Sequence, residues 1–304
     1  MGVAVSRARA PGKLVLSGAY AVLSGAPALV VAVDRYAVAD SARPASFLTP
    51  EVQAALGDQP APWFDAHELR DGDKKLGLGS SAAILVASLA ALELDREPGL
   101  RDEVLCGRVY ERALTAHRAA QGGGSGVDVA ASAHGGLLAA RRTAAGLELS
   151  RLALPSGLCF EVWACSAAAS TAEYLARVRA FAARDPAAHA ACINAQAAAA
   201  EAALAAVQQD QGAAFVSAIA RQVGTLGALG EAAGVAIVTP EFALLGQLAR
   251  ADGAAFLPAG AGGGDVAYYV GLTPPRADFA ERCRELGLSR VALTLAARGV
   301  HALD

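Results

Sequence analysis

The sequence predicts an α+β fold in two domains, and three observations carry that reading. Short runs rich in valine and leucine alternate like strands, between long alanine-rich stretches of high helical propensity. The second half reads strand, helices, two strands, helix, strand, the order of an α+β sandwich. A length of 304 residues, 54% of them hydrophobic, is long for one domain and comfortable for two. The turn Pro155-Ser156-Gly157 is the best candidate boundary, giving domains 1–155 and 156–304.

Taken in order, Val3 to Ala8 alternates and reads as a strand. Arg9 to Lys13, with Pro11-Gly12, breaks that pattern before Leu14-Val15-Leu16 starts a second strand. Ala28 to Asp40 reads as a strand or a strand pair, bent at Asp34-Arg35. Ser41 to Pro62 is polar and proline-bearing, a surface excursion with a short helix near Glu51 to Leu56. Asp71-Gly72-Asp73 is a turn, and Gly77 to Ser81 opens an apolar helix running through Ile84 to Leu92. A helix follows from Asp102 to Ala120, its basic Arg112, His117 and Arg118 suiting the negative end of the helix dipole. Gly122 to Gly126 is a second glycine-rich loop, ahead of a small-residue helix headed by Asp128. Gly135-Gly136 then turns into a strand from Leu137 to Arg142.

Beyond the boundary, Leu158 to Cys165 is a strand and Ser166 to Thr171 opens a helix through Val178. The run Ala187 to Val207 is helical by propensity, with Leu204 and Val207 on an apolar stripe. Helices follow from Ala213 to Ala233 and from Pro240 to Arg250, the latter with Thr239 as N-cap and Pro240 at its first position. Pro258 to Asp265 is a third glycine-rich loop, leading into the strand Val266 to Val270. A helix from Arg276 to Leu286 and a final strand from Arg290 to Leu295 close the chain.

Composition narrows the function. A net charge of −3 offers no broad cationic surface for nucleic acid or anionic lipid, so any phosphate recognition is local. We expect no signal peptide and no apolar run long enough to span a bilayer, hence a cytoplasmic protein without a membrane partner. Five scattered cysteines without a CxxC pair argue against disulfides and zinc. The five histidines show no metal spacing, and we read each as a surface or core-edge residue.

The chemistry points to Lys75-Leu76-Gly77-Leu78-Gly79-Ser80-Ser81-Ala82. Glycines let backbone amides approach a ligand and adopt positive φ, and the helix start adds unsatisfied N–H groups and a positive dipole end. This geometry suits a phosphate, and a serine hydroxyl can ligate magnesium. It is not a GxxxxGK[ST] P-loop, and an ordinary strand-to-helix turn looks similar, so the other two glycine-rich loops matter. Lys13, alone, reads as a solvated edge charge; beside a phosphate loop it would steady a charged substrate. Asp128, alone, reads as a helix cap; directed at the same pocket it would be a base or a charge-ordering partner for the lysine.

The three stretches, in this order, resemble the GHMP small-molecule kinase superfamily across nearly the whole chain. Its first motif is similar to Pro11-Gly12-Lys13 with Gly18-Ala19-Tyr20-Ala21-Val22, its second to Gly77 through Ala82, and its third to Gly260-Ala261-Gly262-Gly263-Gly264. Within it, the resemblance runs to the phosphomevalonate kinase family through Lys74-Lys75, Gly124-Ser125-Gly126-Val127-Asp128, Ala169-Ser170-Thr171 and Asp265. The chain departs where that family has Gly-Glu-Tyr, here Gly18-Ala19-Tyr20, and at Ala259 and Val266 around the third motif.

The resemblance implies a ribosomal S5-like N-terminal domain and a ferredoxin-like C-terminal domain. It implies transfer of the γ-phosphoryl of ATP to mevalonate 5-phosphate, with Mg2+, in a monomer or homodimer. By the same resemblance Lys13 and Asp128 are the catalytic pair, Gly77, Leu78, Gly79, Ser80, Ser81 and Ala82 hold ATP, and Ser81 (or Ser80) takes the metal. Tyr20, Lys74, Lys75, Ser125, Ser170, Ala259, Gly260, Ala261, Gly262, Gly263 and Asp265 are the implied acceptor contacts. Three other readings stand beside it: a GHMP kinase such as mevalonate kinase acting on an alcohol, a related decarboxylase, and a non-catalytic ligand-binding homologue.

Overall fold

A computed structural model describes residues 6–72, 74–165 and 171–303. The described residues open with β1 (Arg7–Ser17), the start of the strand expected from Val3 lying outside them, then a 3-10 turn at Ala21–Ser24 and β2 (Pro27–Pro44). Then come α1 (Pro50–Leu56), β3 (Pro62–Asp65), β4 (Arg70–Asp71), β5 (Lys74–Lys75) and α2 (Ser80–Arg96). They are followed by α3 (Asp102–Ala120), α4 (Val127–His134), β6 (Leu137–Thr143), β7 (Gly146–Leu152) and β8 (Cys159–Ala164). The remainder is α5 (Thr171–Arg184), α6 (Pro186–Gln208), α7 (Gly212–Ala233), α8 (Pro240–Ala251), β9 (Ala255–Pro258), β10 (Val266–Gly271), α9 (Ala277–Glu285), β11 (Ser289–Val291) and β12 (His301–Leu303). The α+β reading holds.

One sheet has the order β12-β1-β2-β6-β7 with β3 added on β2, and a second runs β11-β8-β10-β9, antiparallel throughout. Two compact units result, each assembled from separate stretches. One takes the chain up to Leu14, Val30–Leu138 and the chain from Leu293; the other takes Val15–Leu29 and Ala139–Ala292. The sequence places a single break at 155/156, whereas these units interleave along the chain.

In the first unit α2 is the core. Every residue from Ala82 to Ala91 is buried, because α1, α3 and α4 all pack on it, and a helix apolar on every side belongs inside. In the second unit the core lies on the β8-β9-β10 sheet under α8 and α9. There Trp163, Phe242, Leu245, Phe256, Tyr269 and Phe279 close on one another. Thr239 caps α8 by accepting from the Phe242 amide, as its position ahead of Pro240 predicts.

Four expectations change. The Pro11-Gly12 break does not occur: β1 runs straight through it. Proline's missing donor is tolerated there, and Gly12 serves a close approach rather than a turn, since a Cβ would lie 2.6 Å from Leu69 Cδ2 and 2.8 Å from Leu78 O. Next, β2 is one strand that continues to Pro44, beyond the expected bend. Third, the final strand is shorter than expected, and the chain instead ends on β12, which pairs antiparallel with the start of β1 (Arg7 with Leu303, Arg9 with His301). Last, α6 and α7 are long and apolar enough to cross a membrane by length and composition. Their apolarity is largely alanine, and within the second unit they pack on each other and on α5.

Candidate active site

The first unit gathers the loop before α2, Lys13 and the head of α4. Gly77 and Gly79 have φ of 69° and 79°, a region costly for any residue with a Cβ. Gly79 is the N-cap of α2 and brings no side-chain cap, so no side chain of its own covers the first amides of that helix. Ser80 and Ser81 follow at once, both partly exposed. Uncapped amides, a left-handed glycine cradle and two hydroxyls form a donor set that fits phosphate oxygens.

Lys13 is built into this loop. Its amide donates to Leu78 O at 2.8 Å and its Nζ to Gly77 O at 3.2 Å. Its aliphatic stem lies over Gly79, where a Cβ would stand 3.0 Å from Cε and 3.1 Å from Cγ. Any larger residue at 79 therefore displaces the lysine as well as straining the backbone.

Asp128 sits in the first turn of α4, after the loop Gly122 to Gly126, whose four glycines all have positive φ. Ser132 of the same helix donates to Pro11 O at 2.8 Å, tying α4 to β1 two residues from Lys13. The Asp128 side chain is 24% exposed; Oδ1 accepts from the Val129 amide at 3.0 Å and Oδ2 lies 3.1 Å from His117 Nε2. His117 stands at ion-pair distance from this carboxylate, and by strict geometry neither ring nitrogen makes a hydrogen bond among the described residues. Burial works against the Asp128 carboxylate, yet His117, Lys13 and the Val129 amide outweigh it and hold Asp128 below the usual carboxylate range. Burial likewise opposes a charged His117, and Asp128 with Glu51 overcomes it, against Arg118, so that His117 titrates above its ordinary value.

The signs of these shifts predict a pH window. A raised His117 contributes stability fully below its unfolded value of 6.5, and loses it as pH rises through the folded value. A depressed Asp128 contributes above its unfolded value of 3.8, and loses it as pH falls through the folded value. The thermal midpoint of the wild type minus that of Asp128→Asn should therefore be largest between those two pH values and shrink on both sides. A difference that does not vary with pH would count against a charged pair.

The acceptor contacts expected from the sequence fall in several places. Lys75 is exposed, while Lys74 has its Nζ buried without a hydrogen-bond partner among the described residues. Ser125 is half-buried beside Val127. In the second unit, Tyr20 is 2% exposed and donates its hydroxyl to Ala261 O, which ties it to the third loop. That loop is tight: Gly263 donates to Ile237 O at 2.9 Å, and a Cβ on it would overlap the Tyr174 ring. Ala259, Gly260, Gly262 and Asp265 complete it, Gly260, Gly262 and Asp265 at positive φ. Ser170 lies outside the described residues. Among the described residues no group of three or more His, Cys, Asp or Glu gathers to hold a metal.

His117 corrects a sequence expectation. It is 2% exposed and faces Asp128, not solvent at a helix end. The available signal is its place one turn of helix before Gln121, the residue that leads into the glycine-rich loop.

The chain is similar to known proteins in sequence and in fold. Residues 54–136 match the family model described as GHMP kinases N terminal domain. The chain is 28% identical to the phosphomevalonate kinase of Streptomyces sp. (strain CL190), over 84% of this chain and 87% of that protein. Among solved structures, the Lin0012 protein from Listeria innocua is similar at a TM-score of 0.81 and 23% identity, covering 99% of each chain. The Streptococcus pneumoniae phosphomevalonate kinase in complex with phosphomevalonate and AMPPNP follows at a TM-score of 0.75 and 19% identity, covering 95% of this chain and 99% of that one. The chain thus has the α+β GHMP kinase fold, with a GHMP kinase N-terminal domain matched over residues 54–136.

Proposed function

We propose that this protein transfers the γ-phosphoryl group of ATP to the phosphate of mevalonate 5-phosphate, giving the diphosphate and ADP. The observation that carries the reading is the arrangement of the first unit: Lys13 laid over Gly79 at the uncapped start of α2, with Asp128 within its electrostatic reach. The similarity to the Streptomyces phosphomevalonate kinase supports the choice of acceptor.

The amides from Gly79 to Ala82 would hold the phosphates of ATP, and Ser81 or Ser80 would offer a hydroxyl to magnesium. When bound, the ion would supply charge neutralisation on the triphosphate. In the transfer, the bond from Pγ to the ADP oxygen breaks as a bond forms to an oxygen of the acceptor phosphate. Lys13 offsets charge on the moving group, and Asp128 keeps Lys13 charged and in place. Lys74, Lys75 and Ser125 are the proposed first-unit contacts of the acceptor. An aspartate held below the usual carboxylate range is a weak base. A phosphate acceptor, already anionic at neutral pH, needs no strong one; a hydroxyl acceptor does.

An ADP-release assay with ATP and magnesium, comparing mevalonate 5-phosphate with mevalonate, tests the proposal. We expect turnover on the phosphorylated acceptor alone. Turnover on mevalonate alone would overturn the acceptor and make Asp128 a general base. Carbon dioxide among the products would move the protein to the decarboxylases.

A further inference from the structure

We propose that His117 is a positioning residue for phosphoryl transfer: its buried imidazole holds the Asp128 carboxylate in the orientation in which it meets the charge of Lys13. The inference rests on the reading of Asp128 as the residue that orders Lys13, and it adds a residue that no motif names.

Among the described residues the imidazole has Asp128 as its ion-pair partner. His117 is 2% exposed on α3, 3.1 Å from Asp128 Oδ2, and neither nitrogen makes a hydrogen bond among the described residues. Both carboxylate oxygens of Asp128 are thereby engaged from the protein side, Oδ1 by the Val129 amide and Oδ2 by His117. The side chain cannot swing without leaving a buried imidazole uncompensated.

The surroundings do not fit a role in packing alone. Glu51 of α1 is 5% exposed; Oε1 accepts from Gln121 Nε2 at 3.2 Å, and Oε2 makes no hydrogen bond among the described residues. Burying an acid and an imidazole together costs stability that an apolar pair of the same volume would not. The charged groups acting on the imidazole are Asp128 from α4, Glu51 from α1 and Arg118 from α3, with Lys13 acting on Asp128 from β1. Two acids against one base favour the charged form of the ring, and in either form its N–H can face the carboxylate at the observed distance.

The test is a double-mutant cycle on ADP release with ATP, magnesium and mevalonate 5-phosphate. His117→Gln should lower kcat by about 10- to 100-fold, with KM for ATP within about threefold of wild type. Combined with Asp128→Asn it should cost nothing further, because the two act as one unit. The wild-type fall in kcat as pH rises through the His117 titration should vanish in His117→Gln. Near wild-type turnover in His117→Gln, with Asp128→Asn crippled, would overturn this inference alone; wild-type turnover in Asp128→Asn would overturn the reading beneath it.

A second measurement needs neither an acceptor nor a folded His117 variant. The imidazole of His117, followed by NMR, should titrate above 6.5 in the wild type. In Asp128→Asn that titration should fall by at least about one pH unit. A titration unmoved by Asp128→Asn would overturn the contact whatever the enzyme turns over.

Discussion

Lys13→Ala should lower turnover by about 10³-fold, the usual scale for removing a group aimed at charge that develops during the reaction. The lysine belongs to the loop it would serve. Its stem packs on Gly79, its Nζ reaches Gly77 O, and its backbone is fixed by Leu78 O. The last of these is a main-chain bond that alanine keeps, so the β1–loop register survives the substitution. Far-UV circular dichroism and the thermal midpoint should therefore stay close to wild type while ADP release collapses. KM for ATP should move far less than kcat, because the amides at the start of α2 remain to take phosphate oxygens. Lys13→Arg should not rescue: the guanidinium is a planar fork on a bulkier head, and the space beside Gly79 is already filled by a single chain of methylenes. A Lys13→Ala enzyme within tenfold of wild type would remove the lysine from the chemistry.

The parts of this site that the sequence shows are those whose chemistry is local. Gly77 and Gly79 are glycines because the backbone there is left-handed, Thr239-Pro240 announces α8, and Asp128 stands at the head of its own helix. Each can be read within a few residues. What the sequence hides depends on pairing across the chain. Pro11-Gly12 has the chemistry of a turn, yet Gly12 is there because Leu69 and Leu78 press against it from far along the sequence. Tyr20 has the look of a ligand contact, and its partner is a carbonyl at position 261. His117 sits at a helix C-terminus, where a basic residue already has a local explanation, and that explanation masks Asp128. The strand β12 has no signal in the sequence because three residues, His301 to Leu303, carry no periodicity; only the edge of β1 makes them a strand.

That last segment leads to the largest stability effect expected here, at Gly135, the C-cap of α4. Gly135 has φ 68° and ψ −173°, a region open essentially to glycine alone. A Cβ there would stand 2.1 Å from Gly299 N and 2.6 Å from Ala297 O, backbone atoms that no rotamer change can move. The fit is reciprocal, since a Cβ on Gly299 would lie 2.4 Å from Ala133 O. Around this contact Gly136 donates to Ala297 O at 2.8 Å and Val300 to Ala133 O at 3.1 Å, so residues 297–300 seal the end of the helix whose first turn carries Asp128. Gly135→Ala should thus cost about 3 kcal/mol or more, combining dihedral strain with the displacement of paired backbone. For a chain of this size that corresponds to a fall in thermal midpoint on the order of 5 °C. Its neighbour supplies the control. Gly136 also has positive φ, 67°, but nothing lies within 4 Å of the place its Cβ would take. Gly136→Ala should cost only the dihedral penalty of about 1–2 kcal/mol. If the two variants melt together, the close approach of the C-terminal segment is not what Gly135 is for. If Gly135→Ala melts well below Gly136→Ala and also loses turnover in proportion to the displacement of α4, then the last residues of the chain stabilise the helix that sets Asp128 against His117 and Lys13.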